Sequence, residues 1–258
     1  MNLLLVGCGK MGGALLSRWQ HKFHDMHFDV IEPQYQKPGW HKNLESLPKD
    51  YTPSVIVFAV KPQQLPELLP TYGKRFGNTP LYISIAAGKT TAFFRQHLGN
   101  HIRIVRAMPN LPATVGKGIT VLYAANTLPQ SARDTARKLM EAVGVVEWIE
   151  NESLMDAVTA ISGSGPAYVF LFLEALTKAG FAAGLPEKTA KMLAIEMLAG
   201  SCALVAEAHD SFEQLRKNVT SPGGTTEAAL KILMKDNVLE KLLKDAVLAA
   251  AKKSKELA

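Results

Sequence analysis

The chain has 258 residues, of which 47% are hydrophobic and 20% are charged, a balance typical of globular proteins that excludes a disordered chain. Its net charge of +6 comes from residues 1–150, which hold 17 Lys and Arg against 10 Asp and Glu. These basic residues do not form the dense cluster that nucleic-acid binding requires. The two cysteines, Cys8 and Cys202, are too few and too widely separated for a disulfide framework or a metal site.

No segment of the sequence reads as a targeting signal or a membrane anchor. Residues 1–6 are apolar but lack a basic leader and run directly into glycines. Residues 157–173 carry no charge, yet Gly163-Ser164-Gly165-Pro166 is expected to interrupt that stretch. We therefore expect a soluble, cytoplasmic protein with no membrane partner.

The first half of the chain alternates short apolar runs with helical patterns. Helices are predicted at about residues 11–22, 63–73, 90–98 and 130–143. Strands are predicted at Leu3–Val6, Phe28–Glu32, Val55–Val60, Leu81–Ala86, Ile102–Ala107, Ile119–Tyr123 and Val145–Ile149. Several of these runs are continuously apolar, which is typical of a sheet covered on both faces. The pattern predicts an α/β, doubly wound (Rossmann-type) domain over residues 1–150 with a mostly parallel sheet.

The second half, residues 151–258, is predicted to be an all-α domain. Helices are expected over Asn151–Ile161 and at about residues 166–180, 186–208, 211–218, 225–235 and 237–256. The helix that begins near Pro166 is apolar nearly all round, so we expect it to be buried on every side. A domain of this size would bury such a helix most easily against a second copy, which predicts a homodimer with intertwined helical domains.

A glycine loop, Gly7-Cys8-Gly9-Lys10-Met11-Gly12, follows the first strand and opens the first helix. This context favours a dinucleotide site: Gly7 permits the tight turn, Gly9 lets the pyrophosphate approach the backbone, and Gly12 lets the helix pack on the strand. The second strand ends in Glu32, which is placed to accept hydrogen bonds from the adenosine ribose and to repel a 2′-phosphate. This favours NADH over NADPH, although Lys37 and Lys42 could still serve a phosphate.

Two further strand ends are expected to meet the coenzyme at the carboxyl edge of the sheet. Ala59-Val60-Lys61-Pro62 closes the third strand, and Lys61 faces either coenzyme phosphate or solvent. Ser84–Gly88 ends the fourth strand with small residues, which leave room for a flat nicotinamide or simply form a turn.

Two glycine-rich runs open helices in the second half of the chain. In Ile161–Ala167, Ser164 is predicted to be an N-cap with Pro166 just inside the helix. Ser221-Pro222-Gly223-Gly224-Thr225-Thr226 repeats this arrangement. Backbone N–H groups at a helix N-terminus suit a small anion, so the second run predicts a site for a carboxylate substrate.

Together these motifs resemble pyrroline-5-carboxylate reductases over nearly the whole chain. The resemblance rests on the runs already quoted, on Arg106-Ala107-Met108-Pro109-Asn110 and on Asp156–Tyr168. It implies the last step of proline biosynthesis, in which hydride passes from NADPH or NADH to the C=N carbon of 1-pyrroline-5-carboxylate. It also implies a dimer through the helical domain, and further assembly into rings of dimers.

The resemblance also implies roles for individual residues. Thr226, the expected catalytic residue, would hydrogen-bond the ring nitrogen or the nearby carboxylate of the substrate. The residues implied to bind the substrate are Glu152, Asn218, Gly224, Thr225 and Thr226. Those implied, or predicted from the glycine loop, to bind the coenzyme are Val6, Gly7, Cys8, Gly9, Lys10, Met11, Gly12, Glu32, Asn43, Ala59, Val60, Lys61, Pro62, Ile85, Ala86, Ala87 and Asn218. His209 lies where some relatives have an acid, and its role stays open.

The residue types of the two runs favour an imine substrate. Reduction of a carbonyl requires a strong proton donor such as Lys or His, whereas reduction of a protonated C=N discharges an existing cation. Residues 162–168 and 221–226 contain neither Lys nor His. Two alternatives remain. One is a 3-hydroxyacid-type dehydrogenase, which would need a lysine one or two turns after the glycine loop, where this chain has Val169–Leu173. The other is a non-catalytic, NAD(P)-sensing dimer.

Overall fold

A computed structural model describes residues 1–34 and 37–257. The described chain divides into two compact units, one formed by residues 1–166 with 248–258 and the other by residues 167–247. Each unit is described by itself below. The domain boundary predicted near residue 150 stays a prediction.

The first unit contains an eight-stranded sheet in the order β3-β2-β1-β4-β5-β6-β7-β8. All neighbouring strands are parallel except β6 and β7, so the predicted mostly parallel sheet is confirmed. Its strands are β1 (Asn2–Val6), β2 (His27–Ile31), β3 (Trp40–His41), β4 (Val55–Phe58), β5 (Leu81–Ser84), β6 (Arg103–Met108), β7 (Gly118–Tyr123) and β8 (Gly144–Trp148). The short β3 was not predicted.

Helices cover both faces of this sheet. They are α1 (Lys10–Lys22), α2 (Leu65–Phe76), α3 (Thr91–Leu98) and α4 (Gln130–Met140). Trp19 of α1 is fully buried in one apolar core with Leu139 of α4, and its Nε1 donates to the Leu139 carbonyl at 2.8 Å. Leu69 of α2 and Phe94 of α3 belong to a second core. Alternate strand residues point into the two cores, which explains why the central strands are apolar throughout.

The chain reverses between β6 and β7 through a short 3₁₀ helix, Leu111–Val115. Asn110 fixes this reversal, because its Oδ1 accepts a hydrogen bond from the Ile119 N–H at 3.0 Å. Gly118 packs against the same turn: a Cβ there would lie 2.8 Å from the Ala113 Cα. β7 and β8 therefore run antiparallel to the other six strands, which include β1, whose carboxyl end leads into the glycine loop.

After β8 the chain is helical almost to its end. A 3₁₀ turn, Glu152–Leu154, leads into α5 (Met155–Val158) and a π-helical segment, Thr159–Gly163. The later helices are α6 (Gly165–Ala182), α7 (Glu187–Glu207), α8 (Phe212–Asn218), α9 (Thr225–Leu233) and α10 (Val238–Glu256). The fold class, a Rossmann-type domain followed by a helical domain, is confirmed.

The helix start predicted at Ser164, after a break in the glycine-rich run of residues 161–167, is wrong. Ser164 has right-handed helical φ/ψ and donates its N–H to the Thr159 carbonyl at 2.9 Å, so it lies inside a nearly continuous helix and is no N-cap. Gly163 serves packing: a Cβ there would lie 2.6 Å from Cε of Met108.

Residues 248–258 pack with the first unit through the end of α10. Ser254 is buried, and its hydroxyl donates to Oδ1 of Asp156 at 2.7 Å. This hydrogen bond ties the last turns of the chain to the segment that follows the sheet.

The second unit exposes much of its apolar surface in the single chain. Phe170, Leu171 and Phe172 of α6 are each more than half exposed. The prediction that this helix is buried on every side is therefore not fulfilled within one chain. Two helical segments, residues 152–182 and 187–207, are long and apolar enough to cross a membrane by length and composition. Core helices of soluble proteins have the same length and composition.

Candidate active site

The glycine loop between β1 and α1 is closely packed on two sides and open on one. Gly7 has φ +89°, and a Cβ on it would lie 2.7 Å from Cγ1 of Val60. A Cβ on Gly12 would lie 2.5 Å from the Gly7 carbonyl oxygen, whereas a Cβ on Gly9 would meet nothing within 4 Å. The loop therefore has the packing predicted for Gly7 and Gly12, with free space above Gly9.

The open side of the loop lies at the N-terminus of α1. Gly9 is the N-cap of this helix, and no acidic residue occupies its first turn. The first N–H groups of a helix have no intrahelical acceptor, and the helix dipole makes this end positive. Lys10 and Met11, both predicted to contact the coenzyme, begin the helix, so their N–H groups are available to an anion.

Glu32 lies at the predicted position beside the loop. Its Oε2 accepts a hydrogen bond from the Cys8 N–H at 2.8 Å. Burial, and secondly the Glu32 carboxylate, raise the pKa of the Cys8 thiol, while Lys37 lowers it. Cys8 is therefore a neutral thiol near pH 7, and its backbone holds the acid in place.

A cavity of about 350 Å³ adjoins the glycine loop. It is lined by the predicted residues Val6, Gly7, Gly9, Glu32, Ala59, Val60 and Lys61 and by the unpredicted residues Ile31, Pro33, Gln34, Gln64 and Leu68. Ile31, Pro33 and Gln34 lie within two residues of Glu32, Gln64 lies two residues after Pro62, and Leu68 lies about one helical turn beyond Gln64. This proximity in sequence was the only signal for them. A dinucleotide fits the chemistry of this lining, with bare amides, one acid and apolar walls.

A second cavity, of about 500 Å³, shares Pro33 with the first. Its lining includes Lys37, His41 and Lys42, together with Trp40 and Ser46. Lys37 and Lys42, the two lysines that could serve a phosphate, therefore line the same cavity.

The remaining predicted coenzyme residues occupy turns of the first unit. Ile85, Ala86 and Ala87 follow β5, and the Ala86 N–H donates to Oγ of Ser84 at 3.2 Å. Pro62 opens a 3₁₀ helix, Pro62–Gln64. Asn43 caps another, Leu44–Ser46, through a hydrogen bond from the Ser46 N–H to its side chain. The Oδ1 atom of Asn43 is thus already engaged.

Glu152 lies in the first unit, at the start of the helical segment, and both oxygens of its carboxylate accept hydrogen bonds. Oε1 accepts from the Thr91 N–H at 2.7 Å and from Nη1 of Arg106 at 2.9 Å. Oε2 accepts from the Thr91 hydroxyl at 2.8 Å. The family resemblance implies a substrate contact for Glu152, and its two partners carry no signal in the sequence because they lie 61 and 46 residues away.

The second unit contains the predicted substrate turn. Gly223 has φ +70°, and its N–H donates to Oε2 of Glu227 at 2.8 Å. The Gly224 N–H donates to the Ser221 carbonyl at 3.0 Å, which closes the turn. α9 begins at Thr225, so the N–H groups of Thr225 and Thr226 have no intrahelical acceptor and form a positive helix end.

Asn218, predicted to contact coenzyme and substrate, ends α8 in this same unit. Its Oδ1 accepts from Nε2 of Gln214 at 2.7 Å, which fixes the orientation of its amide. Among the described residues, no group of three His, Cys, Asp or Glu side chains could hold a metal ion.

A doubly wound sheet with this glycine loop, its acid and its cavity defines a dinucleotide-binding protein. Residues 152–257 match the family model described as pyrroline-5-carboxylate reductase dimerisation. The pyrroline-5-carboxylate reductase of Synechocystis is 40% identical over all of this chain and 98% of its own length. That of Pseudomonas aeruginosa is 39% identical over 79% of this chain and 74% of its own.

Solved structures agree with these relatives. A pyrroline-5-carboxylate reductase from Coxiella burnetii is similar with a TM-score of 0.90 and 34% identity, over 100% of this chain and 98% of that one. The Plasmodium falciparum enzyme, solved with NADP bound, has a TM-score of 0.89 and 30% identity over the same shares. The chain therefore belongs to the pyrroline-5-carboxylate reductase family, and it is an NAD(P)H-dependent oxidoreductase.

Proposed function

We propose that the chain reduces 1-pyrroline-5-carboxylate to L-proline, the last step of proline biosynthesis, and that two amide-lined helix ends carry this reaction. The observation that supports it is the pair of positive helix N-termini, one at Gly9 on the coenzyme cavity and one at Thr225 in the helical unit. One suits a pyrophosphate and the other a carboxylate.

When bound, the coenzyme would supply a hydride to the C=N carbon. A C–H bond would form there, and the π-electron pair of the protonated C=N bond would move to the ring nitrogen, which carries its proton and becomes the proline amine. The chain's own part is to hold the reactants. The Lys10 and Met11 N–H groups bind pyrophosphate, Glu32 accepts from the ribose hydroxyls, and residues 85–87 line the nicotinamide.

The substrate carboxylate is held by the N–H groups of Thr225 and Thr226. The Gly224 N–H already donates to Ser221, so its contribution is to shape the turn rather than to donate to the substrate. The Thr226 hydroxyl orients the ring nitrogen or relays its proton through water. Because the iminium already carries its positive charge, position and electrostatics suffice for catalysis.

Oxidation of NADH or NADPH followed at 340 nm with 1-pyrroline-5-carboxylate tests this function. Turnover is expected, and binding of coenzyme without turnover would instead indicate a sensor. If Thr226 is the proton donor, Thr226→Ala lowers kcat by roughly 10²–10⁴-fold. Thr220→Ala is the matched control, because the Thr220 hydroxyl donates to the Arg216 carbonyl. An unchanged kcat in Thr226→Ala would refute the proton-donor role.

For the coenzyme, we propose a preference for NADH. The Glu32 carboxylate would repel a 2′-phosphate, while Lys37 and Lys42 line the neighbouring cavity and oppose that effect. Glu32→Gln should raise kcat/KM for NADPH relative to NADH by roughly tenfold, equivalent to about 1.4 kcal/mol. Lys42→Met, which lowers the positive charge of the same region, should change that ratio in the opposite direction. A ratio that Glu32→Gln leaves unchanged would contradict the role of Glu32.

We also propose a homodimer formed through residues 151–258 as a separate domain, assembled further into a ring of dimers in the cytoplasm. The exposed apolar surface of α6 and the match to a dimerisation-domain model support the dimer. Light scattering of the purified protein measures the assembly. Phe170→Glu is expected to yield monomers, and recovery of the wild-type protein only with membranes would overturn this assignment.

A further inference from the structure

A third cavity, of about 350 Å³, lies in the first unit at the edge of the sheet opposite the glycine loop. Arg103, which lines this cavity, is the first residue of β6. β1, β4, β5 and β6 pair in parallel, and the glycine loop follows the carboxyl end of β1. The third cavity and the coenzyme cavity therefore adjoin opposite ends of the strands, and a molecule in one does not compete for the groups of the other.

Two chain segments meet at this edge because β6 and β7 are antiparallel. Residues 100–102 lead into β6, and residues 125–129 lead from β7 into α4. Ile104 belongs to the second apolar core and Leu128 to the first, so the cavity lies across the sheet edge between the two cores. Buried apolar side chains form its inner wall, while the polar residues of both segments stay exposed at its opening.

The lining of the third cavity carries two positive charges from arginines and no negative charge. Arg95 of α3 and Arg103 contribute to it, and none of the described residues that line it is Asp or Glu. The Nε atom of Arg95 is buried without a hydrogen-bond partner within the described chain. Arg103 donates one N–H to the Thr79 carbonyl and keeps its other donors. Because a buried donor without an acceptor is costly, the Arg95 guanidinium favours a ligand that supplies oxygen atoms.

Neither arginine has a carboxylate partner in the part of the chain that the structure describes. The start of α4 adds to the positive potential, since Pro129 lines the cavity as the N-cap and no acidic residue occupies the first turn. Asn100 and Thr127 provide neutral donors and acceptors at the opening. The cavity thus combines a site for an anion with groups that suit hydroxyls.

We propose that the third cavity binds the phosphate monoester of a small hydroxylated molecule. Arg95 and Arg103 hold the phosphate, for which the planar guanidinium is well suited, and Asn100 and Thr127 contact the hydroxyl groups. The volume of about 350 Å³ is in the range of small-molecule sites and exceeds the space that one inorganic phosphate fills. The inference does not depend on the proposed reaction, because it uses no residue assigned to coenzyme or substrate.

Calorimetric titration of the full chain with glycerol 3-phosphate tests this site. Saturating NADH is present, so that the pyrophosphate of the coenzyme occupies the glycine loop. Wild type should bind, and Arg95→Gln should raise the Kd at least tenfold, roughly the loss of one hydrogen bond to a charged group. Arg137→Gln is the matched control, since it removes the same charge from an exposed pair with Glu141 at 3.6 Å and should leave the Kd within about twofold of wild type. Absence of binding in wild type, or the same Kd in both variants, would overturn the inference.

Inorganic phosphate and glycerol, titrated separately, distinguish the two sources of a phosphate group. Inorganic phosphate should bind more weakly than glycerol 3-phosphate and should also depend on Arg95, and glycerol alone should not bind. If inorganic phosphate binds as tightly as its glycerol ester, the assignment to a monoester is wrong.

Thermal unfolding separates ligand binding from loss of structure. Because the Arg95 side chain has no partner to lose, the Tm of Arg95→Gln without ligand should be no lower than that of wild type. Glycerol 3-phosphate at 100 times its Kd should raise the Tm of wild type by about 5 °C or more, and that of Arg95→Gln by much less. Equal rises in the two proteins would contradict the site.

Hydrogen exchange locates the bound molecule independently of any variant. With glycerol 3-phosphate, amides of residues 99–104 and 125–131 should exchange more slowly, and those of the NADH-occupied loop at residues 7–12 should not change. Slower exchange confined to residues 221–227 would show that the ligand occupies the proposed substrate turn instead, which would overturn the inference.

Discussion

Alanine at Gly12 and alanine at Gly9 are expected to damage different properties of the protein. At Gly12 the new Cβ would lie 2.5 Å from the Gly7 oxygen, and ordinary contact begins at 3.4 Å, so α1 must move by about 0.9 Å. Overpacking of this kind costs about 1–3 kcal/mol, against about 1 kcal/mol gained in helix propensity. We expect a net loss of up to about 2 kcal/mol and a Tm lower by up to about 8 °C.

At Gly9 the new Cβ meets nothing within 4 Å, and φ −68°, ψ −163° suits alanine. Stability should therefore fall only by about 1 kcal/mol, the cost of replacing the glycine N-cap by alanine, which is a poorer one. The methyl group would instead occupy the space proposed for pyrophosphate. We expect the Kd for NADH to rise at least tenfold, equivalent to about 1.4 kcal/mol.

Thermal unfolding without coenzyme and fluorescence titration with NADH separate the two effects. Gly13→Ala is the control, because its Cβ would lie at an ordinary 3.8 Å from the Cys8 oxygen and Sγ. It should be stabilised by helix propensity and bind NADH normally. Wild-type affinity in Gly9→Ala would refute the pyrophosphate position, and equal Tm values for the Gly12 and Gly13 variants would refute the packing argument.

Burial raises the pKa of the Cys8 thiol. When Cys202 is changed to Ser, so that Cys8 is the remaining thiol, alkylation by iodoacetamide should therefore require a higher pH than alkylation of a free thiol in the same buffer. A profile at or below that of the free thiol would contradict this reasoning. Ser254→Ala loses the hydrogen bond to Asp156 and should lower the stability by about 1 kcal/mol in urea unfolding, with kcat unchanged. Trp19→Phe removes the hydrogen bond from Trp19 Nε1 to the Leu139 carbonyl, which keeps only a longer one from the Ala142 N–H at 3.4 Å, and it leaves space in the core. It should cost about 2–3 kcal/mol in the same assay, so a smaller loss than in Ser254→Ala would count against this reasoning.

Seven of the eight strands could be predicted because each is long and rich enough in apolar residues to stand out, although Asp29 lies in β2 and Arg106 in β6. β3 could not, since Trp40 and His41 form no such run and pair only with Val30 and Ile31 of β2. The π-helical segment was missed for a different reason. Glycine and serine at residues 162–165 are typical of loops, and only the backbone hydrogen bonds reveal that the helix continues.

The coenzyme loop of the candidate site was predictable from spacing, because each glycine meets a local requirement of backbone geometry or packing. The partners of Glu152 were not, since a carboxylate carries no sequence signal for a donor 61 residues away. The apolar character of α6 predicted burial on every side, which a single chain does not provide, and periodicity cannot say whether the cover comes from a second copy.

The hydrogen bond from Ser254 to Asp156 has a consequence for dissecting the protein into fragments. Because residues 248–258 pack with the first unit, a fragment that stops at Pro166 would lack the last turns of α10 and leave Asp156 without its donor. A stable nucleotide-binding fragment would instead require a linker that joins Pro166 directly to Leu248.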